Sequence, residues 1–320
     1  MLYRKRFYTT LAIIGNGFDI NHNYNTRFSD FSSCVKDVNL DYFKLICEEE
    51  ESIKTWYDFE TNINILTANA FKDRVAENNI NINKNEKLEA VFREIHRLLI
   101  NYLKQETTHE STKKPSIENY LNEDAIAINF NYTDTVEKYT KNVIYIHGSL
   151  KEQDIILGYD YRNEPCLANF KEMHWGKRFC REKLEFRRFV KRYLHCFQND
   201  KRFNELVENL EIYYTLENSG RGIDDEIGNN NVKHYKLIKC ILERIRKHSI
   251  PNINYKKIKR IVVIGHGIEA DRILLKKIIS KCTNLNEIIV FRYDNEKEDS
   301  IISKKNFLKQ FCENIILESY

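Results

Sequence analysis

The sequence is short of the residues that punctuate a chain. Only 10 glycines and 3 prolines occur in 320 residues, so a glycine that recurs in a pattern carries more meaning here than it would elsewhere. Tryptophan and methionine are nearly absent, with 2 of each. The 8 cysteines (Cys34, Cys47, Cys166, Cys180, Cys196, Cys240, Cys282 and Cys312) form no C-x-x-C pair, and no histidine stands at a zinc-finger spacing. That pattern speaks against a disulfide framework and a structural zinc module, and no metal is expected. No apolar run approaches the roughly 20 residues of a spanning helix, and the opening stretch MLYRKRFYTTLAIIG contains no small-residue cleavage site. A cytoplasmic protein without membrane contact is the expectation. The formal net charge of +4 is too small to argue for nucleic acid by itself.

What is present is enough for a large core. Hydrophobic residues make up 42% and aromatics 12% of the chain, while 31% charged residues and a mean hydropathy of −0.58 predict a soluble protein. Apolar β-type runs occur at 8–15, 125–132 (AIAINFNY), 143–150 (VIYIHGSL), 154–160 (DIILGYD), 259–264 and 287–293 (EIIVFRY). Helical spacing occupies the segment after Arg27, 56–78, 84–103, the stretch after Gly267 and 304–312, with one short helix within 133–141. Strands separated by helices, with nearly continuous apolar strand texture, predict a doubly wound, mostly parallel α/β sheet. The chain reads as a single domain over 1–320, with large helical insertions at about 27–110 and 165–250.

Two glycine turns end predicted strands: Gly15-Asn16-Gly17 in LAIIGNGFDI and Gly265-His266-Gly267 in VVIGHGIEAD. A glycine pair between strand and helix lets backbone amides approach a phosphate. The dinucleotide fingerprint fails at Ile20, and no G-K-[ST] follows, so neither the usual dehydrogenase loop nor a P-loop is present. A plain tight turn accounts for either G-x-G equally well on its own. Their company strengthens a ligand reading: Asn129, Asn131, Thr133 and Asp134 follow one strand, and His147 and Gly148 follow another. Parallel sheets bind ligands at such strand ends.

The set IIGNGFD, NFNYTDTVE, IHGSL, ILGYD and VVIGHGIEAD, with WYDFE at 56–60, resembles the abortive-infection AbiH family of bacterial phage-defence proteins. AbiH proteins are in turn similar to the SIR2-like NAD-binding fold, a Rossmann-like α/β architecture. That resemblance implies an NAD-lined site in which Gly15, Asn16, Gly17, Phe18 and Asp19 form the first loop, Asn131 and His147 are catalytic, and Thr133, Asp134 and Gly148 flank them. Gly265, His266, Gly267 and Asp271 would then form the late loop, with Glu60 as a supporting carboxylate. This chain departs from the SIR2-like pattern at Thr133, where an Asp is usual, at Gly267, where a Ser is common, and in lacking the zinc cysteines; deacylation is therefore not expected.

The expected activity is hydrolysis of NAD to nicotinamide and ADP-ribose when triggered, a toxin-like depletion of the infected cell. Nicotinamide is already a cationic leaving group, so the chemistry needs stabilisation of an oxocarbenium-like sugar and a placed water rather than a strong acid. An Asn and a near-neutral His supply that. A homo-oligomer and a phage-derived trigger or partner defence protein are expected with it. The rival is a nucleotide-sensing or nucleic-acid-binding effector whose site is regulatory, with the basic stretch KRFCREKLEFRRFVKR at 177–192 as the working contact.

Overall fold

The computed structural model describes residues 8–35, 82–151, 155, 253–293 and 296–320. The expected strand at 154–160 (apart from residue 155), the helix at 56–78, Glu60, the basic stretch 177–192 and the insertion at 165–250 lie outside them.

Six strands are present among the described residues: β1 (Thr10–Ile14), β2 (Ala125–Asn129), β3 (Val143–Tyr145), β4 (Arg260–Ile264), β5 (Glu287–Arg292) and β6 (Ile315–Ser319). They form one sheet in the order β3-β2-β1-β4-β5-β6, and every adjacent pair is parallel. This is the strand order of Rossmann-like doubly wound folds, with the switch point between β1 and β4. Thr10 pairs with Ala125 on one side and Arg260 on the other, and Ile14 with Asn129 and Ile264. All three strands thus end level with one another.

The central strands β1 and β2 are buried throughout, the burial that a sheet covered on both faces imposes. Alternate residues divide between two cores. Leu11, Ile13, Ile128, Val263 and Val290 face one core together with Leu275 and Ile278 of a helix at Arg272–Ile279. Ala12, Ile14, Ala127, Ile264 and Phe291 face the other with Phe18 and Ile117.

The α-helices among the described residues are α1 (Asn16–Asn21), α2 (Phe28–Val35), α3 (Ile82–Glu106), α4 (Pro115–Glu118), α5 (Arg272–Ile279) and α6 (Glu298–Leu308). In α3, Ile95, Leu99 and Leu103 recur at helical spacing and are all buried. No helix among the described residues is long and apolar enough to cross a membrane.

Three differences from the sequence expectation stand out. The strand at 143–150 stops at Tyr145, and the strand at 125–132 stops at Asn129, because the chain turns there to build the site. Helical spacing is expected only after Arg27, yet α1 begins at Asn16, directly on the strand end. The chain is also expected to close with a helix, whereas α6 is followed by β6. That strand is a half-exposed edge, and its pairing of Ile288 with Ile315 is a contact between distant positions that periodicity does not carry.

Candidate functional site

The two glycine turns flank the switch point and are locked to each other. The Gly15 amide donates to the Ile264 carbonyl and the Gly17 amide to the Gly265 carbonyl, both at 2.9 Å. A Cβ on Gly15 would fall 2.5 Å from His266 Cα, and one on Gly17 would fall 2.7 Å from Gly265 Cα. Gly265 has φ +66°, and a Cβ there would fall 2.1 Å from the Phe18 amide nitrogen. Glycine at these three positions is therefore explained by the approach of one turn to the other. The phosphate-access reading of the sequence gives way at Gly15 and Gly17, whose amides are committed to protein carbonyls. Gly267 is different: it is exposed, and a Cβ there would meet nothing within 4 Å.

Asp19, in α1, is 1% exposed. Its Oδ2 accepts from Thr133 Oγ1 at 2.6 Å, and Thr135 Oγ1 donates on to Thr133 Oγ1 at 3.1 Å. Its Oδ1 makes no hydrogen bond of normal geometry, although the Asn131 and Thr135 side chains lie near enough to act on the carboxylate. Burial raises the Asp19 carboxyl to about 6 from an ordinary 3.8, against the opposing pull of Thr133, Thr135 and Asn131 and with a further push from Asp134. A carboxylate buried with one bare oxygen is costly to keep, and such groups gather where a ligand or reaction uses them.

Asn131 joins the second strand to the first turn. Its Nδ2 donates to the Gly15 carbonyl at 3.0 Å, and its backbone N–H donates to Asn129 Oδ1 at 3.1 Å. Asn129 Nδ2 in turn donates to the Thr133 carbonyl at 3.0 Å. The loop that sequence reads as NFNYT is thus a closed hydrogen-bonded cradle, and Thr133 is the group that holds Asp19. Asp134 is exposed beside it.

Two histidines lie on either side of Phe130. His147 follows β3, with its ring 5.9 Å from Phe130 and 6.1 Å from Tyr132; Gly148 beside it has φ +74°. His266 packs edge-on to Phe130 at 4.3 Å. His266 Nδ1 accepts from the Ile268 N–H at 2.9 Å, so the ring proton sits on Nε2, 3.4 Å from Asp271 Oδ2. His266 and Asp271 form a buried, oriented pair, an arrangement the sequence shows only as two residues five apart. Ile268 pays for that geometry with φ +70°, a conformation that strains a β-branched residue.

Two residues of the expected site have structural partners. Phe18 is fully buried among Tyr139 and His22, 5.7 and 4.4 Å away. Asn16 ties down the chain after α1, donating to the Thr26 carbonyl at 3.0 Å and accepting from Thr26 Oγ1 at 2.7 Å. His22, which no motif marks, is a fully bonded structural histidine. Its ring nitrogens lie 2.7 Å from the Phe18 carbonyl and 2.7 Å from Tyr139 Oη, which also accepts from the Lys114 N–H at 2.6 Å. Burial lowers its affinity for a proton.

Tyr293 is a site residue that sequence reasoning missed. It immediately follows β5, and a Cβ on Gly17 would lie 2.5 Å from its ring and its hydroxyl. The signal was available, since the same strand-end rule that selects Asn131 and His147 selects the residue after EIIVFR. Among the described residues no group of three or more His, Cys, Asp or Glu side chains could hold a metal ion.

A protein-family model, Bacteriophage abortive infection AbiH, matches residues 11–293, a span that opens inside β1 and closes at Tyr293. No curated protein and no solved structure matches the chain.

Proposed function

This chain belongs to the bacteriophage abortive infection AbiH family and is a phage-defence protein, and from that premise we propose that its switch-point edge binds an NAD-like nucleotide and hydrolyses NAD to nicotinamide and ADP-ribose. The observation that carries the reading is the bare Oδ1 of Asp19, buried at a parallel-sheet switch point within a cradle that also contains Asn131. The residues fit such a substrate. A carboxylate oxygen lacking a partner suits a sugar that develops positive charge, and the open side of Gly267 leaves room for a ligand's approach.

In the proposed reaction the bond between ribose C1′ and the nicotinamide nitrogen breaks, and the electron pair leaves with nicotinamide, which departs neutral. Asp19 stabilises the cationic sugar. Water adds to C1′, and its proton passes to His147, regenerating a neutral hydroxyl on ADP-ribose. Asn131, pinned by Gly15 and Asn129, positions the sugar or the water. The oriented pair of His266 and Asp271 holds the late turn in place, with both nitrogens of the His266 ring engaged within the protein.

The test is nicotinamide release from NAD by the purified protein, with and without extracts of phage-infected cells, for the wild type and for Asn131→Ala. Release that Asn131→Ala abolishes together with phage protection is the expected result. No release under any condition, with protection intact in Asn131→Ala, refutes the hydrolysis and favours a regulatory site, for which binding of NAD or ADP-ribose without turnover is the mark.

A further inference from the structure

Buried side-chain polar atoms without partners are uncommon, and each carries a penalty. Four of them occur around the glycine turns: Asp19 Oδ1, Tyr293 Oη, Glu296 Oε2 and Tyr320 Oη. They form a contiguous run. Tyr293 lies over Gly17, two residues before Asp19, and the Asp19 charge acts on its phenol. Tyr320, the first residue beyond β6, stacks against Tyr293 with ring centroids 5.0 Å apart. The Glu296 N–H donates to the Tyr293 carbonyl at 3.1 Å, and the Glu296 carboxylate acts on both phenols.

Glu296 is not a loose surface group. Its Oε1 accepts from Ser300 Oγ at 2.8 Å and from the buried ammonium of Lys304. The ion pair fixes the carboxylate and leaves Oε2 bare. Burial holds the Tyr293 and Tyr320 phenols protonated well above their ordinary range; the two hydroxyls lie near enough to act on each other but make no hydrogen bond of normal geometry, so each remains a donor to a ligand.

These atoms define the ligand chemistry. Two bare carboxylate oxygens accept hydrogen bonds, and two phenols both donate and accept. An anion would meet two carboxylates. A metal cation would meet Lys304, and no metal-ligating group of three is present among the described residues. A neutral group with adjacent hydroxyls satisfies all four.

We propose that Asp19, Tyr293, Glu296 and Tyr320 form a sugar-hydroxyl subsite that runs from the first glycine turn toward β5 and β6 and takes the vicinal diol of a ribose. The assignment rests on the reading that a nucleotide binds at this edge, and it extends the footprint to two strands that none of the catalytic residues occupy. Glu296 and Tyr320 lie beyond residue 293, where the family match ends.

The variants Tyr293→Phe and Tyr320→Phe each remove one oxygen and little else. Thermal melting without ligand and calorimetric titration with ADP-ribose are measured on the full chain. Each variant is expected to melt no lower than wild type, because a bare buried hydroxyl has been removed, and to bind ADP-ribose about tenfold more weakly, the loss of one hydrogen bond. A lowered melting temperature in both variants shows that the hydroxyls are bonded within the protein and overturns the subsite, as does an unchanged ADP-ribose affinity. Nicotinamide release is followed in parallel. Release by a wild type whose ADP-ribose affinity survives both substitutions refutes the subsite alone, whereas tyrosine-dependent ADP-ribose binding without release refutes the hydrolysis alone. A wild type that binds no ADP-ribose refutes the subsite whatever its activity.

Discussion

Alanine substitutions at Gly265 and Gly267 separate two roles that look identical in the sequence. At Gly265 the new methyl meets the Phe18 backbone nitrogen at 2.1 Å and the Gly17 carbonyl carbon at 2.4 Å, both rigid, and the residue must hold φ +66°. The left-handed conformation costs an L-residue about 1 kcal/mol, and overpacking against backbone adds roughly 1–3 kcal/mol. A loss of about 3 kcal/mol follows, which for a chain of this size lowers the melting temperature by roughly 4–5 °C. At Gly267 the methyl meets nothing within 4 Å and φ is not positive, so the change in stability stays within about 0.5 kcal/mol. The assay is thermal unfolding followed by circular dichroism, with ADP-ribose titration of whatever remains folded. Gly267→Ala is expected to melt like wild type and to bind ADP-ribose more weakly. If Gly265→Ala melts within a degree or two of wild type, the two turns are not packed as described; if Gly267→Ala falls as far as Gly265→Ala, the difference between them is refuted.

Other predictions concern charge and hydrogen bonding. The Asp19 carboxyl titrates at about 6 in the folded chain against an ordinary 3.8; an acid raised on folding contributes most below the unfolded value, and that contribution fades as pH rises through 6. At about 1.36 kcal/mol per unit the difference is roughly 3 kcal/mol. Asp19→Asn is therefore expected to gain stability relative to wild type in urea melts at pH 7.5 and to lose that advantage near pH 4; the opposite trend would show that the carboxylate is well solvated or paired. Nicotinamide release by wild type is expected to fall as pH drops through about 6 and by at least about 100-fold in Asn131→Ala, since a placed polar group at such a centre is worth that much or more. Tyr139→Phe strips the partners from His22 and the Lys114 N–H and should cost about 1–3 kcal/mol in stability without changing ADP-ribose affinity; lost affinity at full stability would place Tyr139 in the site instead.

Several features of the edge are suited to fixed geometry. Ile268 is held at a strained φ so that its N–H reaches His266, and Asn131, Asn129 and Thr133 close on one another through side-chain and main-chain hydrogen bonds. Networks of this kind hold catalytic groups in place at the expense of stability.

The apolar texture of β1, β2, β4 and β5 was sufficient to announce a doubly wound parallel sheet, because a strand covered on both faces must be hydrophobic at nearly every position. The strand-end rule then picked out Asn131, His147 and the two G-x-G turns, since only the carboxyl edge of such a sheet offers unpaired chain to a ligand. What sequence could not carry was distance. That Gly15 and Gly17 press against Gly265 and His266 follows from β1 and β4 being neighbours, although 245 or more positions separate them along the chain. Spacing likewise cannot say that Thr133 reaches Asp19, or that Tyr293, Glu296 and Tyr320 gather beside it. The sequence by itself determined the class of fold and the strand ends at which its paired glycines and polar residues stand. The tertiary structure decided which glycines are packing and which is open, and which carboxylate is left with a bare oxygen, because those depend on strand order and on burial, and both arise only when distant segments meet.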